Sequence, residues 1–369
     1  MKKIIFLLGL SLFVLLGCDN QINSNAEKEI ESSNFRYSRI EVLMSGIAEI
    51  TIFDIECSDE YIDIRCNLLN DAFEMVFDME RRFNVNDVGG EVERINEMAG
   101  IQPVEVESDT FFLIEQAIYY SIYSDSLFNA TIGPLTNMWN IGFSGVRRPS
   151  DIEIEAVLPL LDPRLVILNE FDHTVFLKDM GMRLDLGAIA KGYMADIVAD
   201  FFLDNGINRA LIVIGGEVLA IGGRDEGIPF RIGIRNPFSD DESPIDDYLM
   251  GLLPVYNQVA TTSGTYNRYL AYQDTQTFYH HILDSRTGFP FKNDIVSITV
   301  IADTGILAEV YSTILFAMGI EEGLAYVEMY PSMEVMFICR DGGVYLSSGL
   351  QSSLELLLPN DFEVRVPDF

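Results

Sequence analysis

The chain has 369 residues, of which 49% are hydrophobic, so it can bury a full core as one large domain or two smaller ones. Its 57 aspartates and glutamates outweigh its 24 lysines and arginines, and the formal net charge is -33 at pH 7. Because that charge repels nucleic acid and anionic membrane surfaces, we expect no nucleic-acid partner, and an anionic substrate would need a divalent cation.

Residues 1–18 are typical of a bacterial lipoprotein signal. Two lysines precede an apolar run that is too short for a membrane span and that ends at Cys18. We expect cleavage before Cys18 and lipid on its sulfur and new amino group; a plain signal peptide and an uncleaved anchor are the alternatives. Residues 19–35 are polar and are predicted to be a flexible tether, and residues 36–369 to form one domain.

Three cysteines remain after such processing, namely Cys57, Cys66 and Cys339. The chain has no CxxC pair and few histidines, so we do not expect a zinc site. A disulfide between Cys57 and Cys66 would be compatible with an oxidising compartment.

Hydrophobic periodicity predicts a mixture of strands and helices in the rest of the chain. Two short apolar runs flank His173, which we expect to be an exposed turn residue without a function. No internal repeat is visible, and the mixed order of elements favours an α+β architecture. The predicted elements are a β-hairpin at 37–54, helices at 61–83, 110–123 and 187–203, a buried strand at 209–216, and helices starting near residues 307 and 321.

The segment LDLGAIAKGYMAD, residues 184–196, places an aspartate, a glycine and a lysine where a helix is predicted to begin. It lacks the Gly-x4-Gly-Lys-Ser/Thr spacing of a P-loop, because Lys191 is followed by Gly192 and Tyr193. Taken alone, the segment is better explained as a capped helix with a surface lysine.

The segment VATTSGTYNRYL, residues 259–270, ends an apolar strand with small hydroxyl residues and a glycine. Hydroxyls and free backbone amides in such a place could bind a phosphate. A plain turn explains the pattern nearly as well.

The segment HHILDSRTGFP combines His281 and Asp284 just before an Arg-Thr-Gly turn. Residues three apart on an extended strand face opposite sides, so a bend would be needed for the two to act together. Otherwise one of the two simply holds the loop.

The segment VIADTGILAEVYSTILFAMG places Glu309 and Thr313 four residues apart, hence on one face of the predicted helix. A carboxylate and a hydroxyl one turn apart are hard oxygen ligands suited to magnesium. A hydrogen-bonded surface pair is an equally good explanation without other support.

Together and in this order, these segments resemble the FAD:protein FMN transferase family (ApbE), including the flavin-trafficking lipoproteins of some bacteria. The resemblance covers nearly all of the chain that remains after processing, and it includes a hairpin with Met44 and a helix ending in ERINEMAG. It implies a single large α+β domain, related to the T-fold, with the flavin site in a central cleft. Further matching segments are FNATIGPLTNMW (128–139), IGGEVLAIGG (214–223) and FRIGIRNP (230–237).

The resemblance implies an enzyme that uses FAD as substrate and Mg²⁺ as cofactor, with Mn²⁺ as an alternative metal. Such enzymes attach FMN through a phosphoester to a threonine of a partner protein and release AMP. By the family's motifs, the metal would be held by the backbone carbonyl of Ala188 and by Glu309 and Thr313. His281 would deprotonate the incoming threonine, and Asp284 would orient that site or the metal shell.

The resemblance also implies a set of residues near FAD, because the flavin and adenine rings need flat apolar walls and hydrogen-bonding edges. These residues are Met44, Lys191, Gly215, Gly216, Glu217, Thr262, Ser263 and Gly264.

The sequence departs from the family's pattern at two positions. Glu309 stands where the family usually has aspartate, and its extra methylene could displace a magnesium ligand. Asn129 stands where aspartate is usual, which removes one negative charge. Two alternatives therefore stay open: a FAD pyrophosphatase that uses water in place of threonine, and a FAD-binding carrier lipoprotein without catalysis.

The resemblance and the signal together predict where the protein acts. The acceptor would be a flavoprotein subunit of a membrane redox complex, of the Rnf or the sodium-translocating NADH:quinone reductase type. The enzyme would be extracytoplasmic and anchored by lipid to a bacterial membrane, on the periplasmic side.

Overall fold

The computed structural model describes residues 35–366, apart from residues 44–45, 55–58, 87, 226, 241–242, 267, 272–277 and 331. The helices are α1 (Asp59–Phe83), α2 (Glu91–Glu97), α3 (Ser108–Tyr123), α4 (Gly133–Trp139), α5 (Asp151–Val157), α6 (Ala190–Asp204), α7 (Gly305–Met318) and α8 (Ile320–Val327). The strands are β1 (Phe35–Leu43), β2 (Gly46–Asp54), β3 (Val104–Glu105), β4 (Val166–Asn169), β5 (Thr174–Leu177), β6 (Ala210–Ile214), β7 (Glu217–Ile221), β8 (Phe230–Arg235), β9 (Leu249–Val255), β10 (Gln258–Gly264), β11 (Tyr269–Ala271), β12 (Phe278–His280), β13 (Leu283–Asp284), β14 (Phe289–Pro290), β15 (Ile295–Ala302), β16 (Met333–Cys339), β17 (Gly343–Leu346), β18 (Glu355–Leu356) and β19 (Glu363–Arg365).

A nine-stranded sheet forms the centre of the molecule, with strand order β1-β2-β6-β7-β10-β15-β16-β17-β19. Its neighbouring strands are antiparallel except for β17 and β19, which are parallel. Two three-stranded sheets, β18-β9-β8 and β3-β5-β4, and the short pairs β11-β12 and β13-β14 surround it. The α+β prediction is therefore confirmed.

Strand β6 shows why part of the sheet has a continuous apolar sequence. Ala210, Ile212 and Ile214 belong to the larger core cluster, together with helices α1, α3, α6 and α7. Leu211 and Val213 face the other side, where they pack in a second core cluster with strands β8 and β9. Both faces of the strand are covered, so every position is apolar and the usual alternation disappears.

Helices α6 and α7 determine where the predicted site lies. They pack against each other, and α7 also packs against β10 and β15. The sequence of α7, GILAEVYSTILFAM, is almost wholly apolar, and its one carboxylate, Glu309, is buried. The segments LDLGAIAKGYMAD, VATTSGTYNRYL and VIADTGILAEVYSTILFAMG are thereby brought together.

The structure confirms several predicted elements and corrects others. The hairpin forms as β1 and β2, but the helix predicted after Gly187 begins at Ala190, because residues 187–189 form a turn first. Residues 262–264 end a strand, as one interpretation held, and the alternative of a plain turn is wrong, because they continue β10 and pair with β15. His173 was predicted to be exposed; it is half-buried, since its ring stacks on Phe111 with centroids 5.3 Å apart.

Some predictions fall outside the described residues. These include the signal with Cys18, nearly all of the tether, Met44 and Cys57, so a disulfide between Cys57 and Cys66 stays a prediction. Of the described cysteines, Cys66 is exposed and Cys339 is buried. Within the described ranges, no helix combines the length and the hydropathy that crossing a bilayer requires.

Candidate active site

The site begins at a backbone contact between α6 and α7. A Cβ atom added to Gly192 would lie 2.2 Å from the carbonyl oxygen of Gly305, and one added to Gly305 would lie 2.2 Å from the carbonyl oxygen of Gly192. Only glycine permits so close an approach at these two positions. The first turns of both helices are therefore held together.

Each of the two helices supplies a carboxylate that caps the other. Asp196 on α6 accepts hydrogen bonds from the backbone N–H groups of Gly305 (2.6 Å) and Ile306 (3.1 Å), which open α7. Glu309 on α7 accepts from the N–H of Gly192 (2.7 Å) at the start of α6. The first N–H groups of a helix have no partner within it, so these carboxylates satisfy them and interact favourably with both helix dipoles. Burial raises the pKa of Asp196 to about 6, and its two backbone hydrogen bonds oppose that rise.

The cap on α6 has a consequence for the carbonyl of Ala188. In a regular helix the N–H of Gly192 would donate to this carbonyl, four residues earlier. That N–H donates to Glu309 instead, and the helix begins only at Ala190. The Ala188 carbonyl, one of the predicted metal ligands, is thus left without its helical donor.

Lys191 and Thr313 complete this part of the site. The Lys191 ammonium contacts Oε1 of Glu309 and donates to the carbonyl of Gly187 at 3.0 Å. Burial lowers the pKa of Lys191, and the negative charge of Glu217 opposes that shift. Thr313 is half-buried one helical turn after Glu309. The predicted ligands Glu309 and Thr313 therefore share a face of α7, as expected.

Hydroxyl groups of β10 connect this strand to α7 and to β15. The Oγ atoms of Ser263 and Ser312 lie 2.8 Å apart, and Ser312 donates to the carbonyl of Glu309 at 2.7 Å. Thr262 of β10 and Thr299 of the neighbouring strand β15 form a similar pair, with their Oγ1 atoms 2.9 Å apart. These hydroxyls lie in a strand, so they form a polar network rather than a phosphate-binding turn.

Glu217 follows a turn at Gly215 and Gly216, whose φ angles of 58° and 95° favour glycine. The side chain is fully buried, and its Oε2 accepts a hydrogen bond from Thr261 at 3.0 Å. Its Oε1 has no hydrogen-bond partner among the described residues. Burial raises the pKa of Glu217 to about 8, although Lys191 and the hydrogen bond from Thr261 oppose that shift.

His281 lies at a bend between β12 and β13, and a bend is what joint action of His281 and Asp284 would need. The carbonyl of Arg268 accepts its backbone N–H at 3.3 Å and lies 3.4 Å from ring atom Nδ1. Nδ1 is thus the nitrogen that carries the proton, and Nε2 keeps its lone pair. Burial and the positive charge of Arg268 lower the pKa of His281 to about 4, so the ring is neutral near pH 7.

Asp284 holds the loop that follows His281. Its carboxylate binds the Arg286 guanidinium through both oxygens, at 2.8 and 3.0 Å, and accepts the Arg286 backbone N–H at 2.9 Å. Asn129 binds the same loop, because its amide donates to Ser285 (3.0 Å) and to the carbonyl of Leu161 (2.8 Å). An aspartate at position 129 could not donate these bonds, which gives the departure at Asn129 from the family pattern a structural reason.

Sequence reasoning missed three charged residues of the site. Asp185 accepts hydrogen bonds from Gly187 and Thr136, both at 3.0 Å. Asp196 caps α7, and Arg268 lies beside His281. Asp185 and Asp196 stand within the quoted LDLGAIAKGYMAD segment, whereas Arg268 had only its place in VATTSGTYNRYL to indicate it.

Comparison with known proteins gives this arrangement its context. The model of the ApbE family matches residues 44–337. An FAD:protein FMN transferase of Klebsiella pneumoniae (strain 342) is 37% identical over 317 residues, which cover 86% of this chain and 93% of the relative. An FAD:protein FMN transferase of Treponema pallidum (strain Nichols) is 28% identical over 334 residues, 87% of this chain and 89% of the relative.

Solved structures show the same fold. The ApbE protein of Thermotoga maritima superposes with a TM-score of 0.74 at 26% identity, covering 86% of this chain and 99% of that chain. The flavin transferase ApbE of Vibrio cholerae superposes with a TM-score of 0.72 at 25% identity, covering 87% and 99%. The predicted ApbE-like fold is therefore confirmed, and this chain belongs to the ApbE family.

Proposed function

We propose that this chain is a magnesium-dependent FAD:protein FMN transferase, which moves FMN from FAD to a threonine of an acceptor protein and releases AMP. The name of two relatives, FAD:protein FMN transferase, supports the reaction. The observation that carries the proposal lies where α6 and α7 cross. There the Gly192 N–H donates to the Glu309 carboxylate, so the Ala188 carbonyl lacks its helical donor.

The proposed metal ligands are the carbonyl of Ala188, the carboxylate of Glu309 and the hydroxyl of Thr313. They fit Mg²⁺ or Mn²⁺ because all three are hard oxygen donors and the carbonyl lacks its helical partner. The Lys191 ammonium contacts Glu309, so it has to move aside for a cation at this carboxylate. When bound, the metal would offset the charge of the FAD phosphates and act as a Lewis acid.

His281 is the proposed general base of the transfer. The threonine oxygen bonds to the phosphorus of the FMN half, the bond from that phosphorus to the bridging oxygen breaks, and AMP leaves with the electron pair. The threonine proton passes to Nε2 of His281, which the Arg268 carbonyl leaves unprotonated by holding Nδ1. The lowered pKa of His281 keeps the ring neutral before the transfer, so the lone pair of Nε2 is available.

Asp284 is proposed to position His281 through the loop rather than to touch the substrate, because Arg286 occupies both of its oxygens. The FAD contacts are proposed for Met44, for Lys191, for the turn of Gly215 and Gly216 with Glu217, and for Thr262, Ser263 and Gly264. Oε1 of Glu217 supports this assignment, because it has no hydrogen-bond partner in the described part of the chain, and a buried polar atom without a partner is costly unless a ligand satisfies it.

The test uses the chain without residues 1–18, incubated with FAD, Mg²⁺ and a peptide of the form Asp-x-x-Thr-Ser/Ala-x-Thr. We expect a fluorescent flavin–peptide adduct and an equal amount of AMP, both abolished by a chelator. AMP with free FMN and no adduct would identify a pyrophosphatase, and retained FAD with no AMP would identify a carrier. Either result would contradict the transferase.

Two substitutions with matched controls assign the roles. His281→Ala should slow transfer about 10²–10⁴-fold, the range for loss of a general base, whereas His173→Ala should not change it. Glu309→Gln should weaken Mn²⁺ binding measured by electron paramagnetic resonance, whereas Glu321→Gln on the exposed side of α8 should not. Full activity of the His281 variant, or unchanged Mn²⁺ binding by the Glu309 variant, would exclude the corresponding role.

The place of action is part of the same proposal. The lipoprotein-type signal ending at Cys18 supports a lipid anchor on the extracytoplasmic, periplasmic side of a bacterial membrane. An acceptor at that location would be a flavoprotein subunit of a membrane redox complex, of the Rnf or sodium-translocating NADH:quinone reductase type.

A further inference from the structure

The residues on either side of His281 are both held by the backbone of Phe291. The Phe291 N–H donates to the carbonyl of Ile282 at 3.2 Å, and the Phe291 carbonyl lies 3.0 Å from Nε2 of His280. His281 stands between these two anchored residues, at the bend that joins β12 to β13. The bend is therefore closed by one backbone hydrogen bond and by one contact of the His280 ring.

The protonation of the His280 ring follows from its contacts. A carbonyl only accepts, so Nε2 carries the hydrogen and donates it to Phe291. Burial lowers the pKa of His280, and the Phe291 carbonyl opposes that shift, so the ring is neutral near pH 7. Nδ1 then keeps a lone pair, which is buried and has no hydrogen-bond partner in the described part of the chain. A phenyl ring would avoid the cost of that atom but would lose the bond to Phe291.

The His280 ring also connects the bend to α7. It packs edge-on against the ring of Phe316, with centroids 5.6 Å apart and planes at 82°. Phe316 is fully buried, and its carbonyl accepts a hydrogen bond from the Asn293 amide at 2.8 Å, so the chain after β14 is attached to the helix as well. Helix α7 carries the proposed metal ligands Glu309 and Thr313. The segment of the proposed base and the helix of the proposed metal ligands are thus in direct contact.

We propose that His280 is a positioning residue, which holds the proposed base at the bend and fixes it relative to α7. The bond from Nε2 to Phe291 and the packing on Phe316 carry this role, which rests on the proposed function of His281. Proton transfer requires the accepting nitrogen within hydrogen-bond reach of the threonine hydroxyl, and a displacement of about 1 Å can slow a reaction about 10²-fold. His280 does not touch the substrate; it acts through the backbone of its neighbour.

Two substitutions separate the hydrogen bond from the bulk of the ring. His280→Phe keeps a ring against Phe316 and removes the donor, whereas His280→Gln removes the ring and keeps an amide N–H near the place of Nε2. With FAD, Mg²⁺ and the acceptor peptide, His280→Phe should lower kcat for AMP release about 10–10²-fold and leave the KM for FAD unchanged. His280→Gln should lose less, and the control His173→Ala should lose nothing. An equal or larger loss for His280→Gln would assign the effect to packing and overturn the inference, and so would an unchanged kcat of His280→Phe.

A second measurement observes the rings directly and needs no catalysis. The chain contains 3 histidines, so the imidazole nitrogen NMR spectrum of the protein without residues 1–18 can be assigned with His173→Ala and His281→Ala. We expect a neutral His280 ring with its proton on Nε2. In His280→Phe the tautomer balance of His281 should change, and in His280→Gln it should change less.

A proton on Nδ1 of His280 in wild type, or a His281 spectrum that does not respond to His280→Phe, would overturn the inference. The wild-type spectrum gives this result even if a variant does not fold. Absence of AMP release by wild type would contradict the proposed function alone, and the ring spectra would then still decide whether His280 positions His281.

Discussion

At the scale of single residues, the carboxylates of the site differ because their partners differ. Glu309 and Asp196 accept backbone N–H groups at helix starts, and Asp284 binds an arginine through both oxygens. Among the described residues, Glu217 has one hydrogen-bond partner, Thr261, and its side chain is fully buried. A carboxyl group with so little to stabilise its charged form stays protonated to higher pH.

The raised pKa of Glu217 predicts a pH dependence of stability. Its ordinary pKa is 4.5, and burial raises it to about 8 in the folded protein. Between these values the folded state retains a proton that the unfolded state has released, so Glu217 adds stability that is fully present below pH 4.5 and is lost as pH rises to about 8. Glu217→Gln, which cannot ionise, should remove this dependence.

The measurement is the free energy of urea-induced unfolding at pH 5, 6.5 and 8, for wild type and Glu217→Gln. The difference between the two proteins should shift in favour of the variant as pH rises. Comparing them cancels the contribution of Asp196, whose pKa is also raised. Glu321→Gln, at an exposed position, is the control. A difference that does not change with pH would contradict the prediction.

At the scale of elements, the α6–α7 pair explains how the site is built. The contact at Gly192 and Gly305 brings the two helix starts together. Glu309 and Asp196 each accept hydrogen bonds from N–H groups at the start of the opposite helix. Because the Gly192 N–H donates to Glu309, the Ala188 carbonyl lacks its helical donor. The glutamate that departs from the family's usual aspartate is the residue that reaches across from α7 to α6.

The reciprocal cap predicts the effect of Asp196→Asn. The asparagine offers one acceptor and would place an amide against the second N–H, at Gly305 or Ile306. Loss of a cap of this kind costs about 0.5–2 kcal/mol of unfolding free energy. We expect a loss of that size at pH 7, measured by urea unfolding, and almost none for Asp200→Asn, which is exposed one turn later on α6. Equal effects of the two variants would exclude the cap as the cause.

At the scale of the whole molecule, the acidic composition and the predicted anchor belong together. A chain with a formal net charge of -33 is not drawn to an anionic membrane surface by electrostatics. Membrane attachment would therefore depend on lipid at Cys18. Full-length wild type should partition with membranes in its bacterial host, whereas Cys18→Ala should lose lipid labelling by radioactive palmitate.

Cys66→Ala, which changes an exposed cysteine of α1, is the control and should keep both the label and the membrane location. Palmitate labelling of Cys18→Ala, or an unlabelled wild type, would show that the lipoprotein signal was misinterpreted. The domain itself should keep its FAD-dependent activity in either case, because the signal precedes the described residues.

Local pattern was sufficient for the elements whose burial is simple. Strand β2 alternates because Ala48, Ile50 and Ile52 face the core, and α1 and α3 follow helical spacing because one side of each packs on the core. The predictions failed where a contact from elsewhere in the chain decided the outcome. Residues 262–264 stay extended because β15 pairs with them, and His173 is half-buried because Phe111 stacks on it.

The sequence by itself determined the α+β class, the family and the segments that carry the site, because periodicity and motif order are local properties of the chain. Only the tertiary structure decided which contacts those segments make with one another. The hydrogen bond from Gly192 to Glu309, the one from Thr261 to Glu217 and the contact of Arg268 with His281 each join residues of different segments. Such contacts depend on packing geometry, which no local pattern encodes.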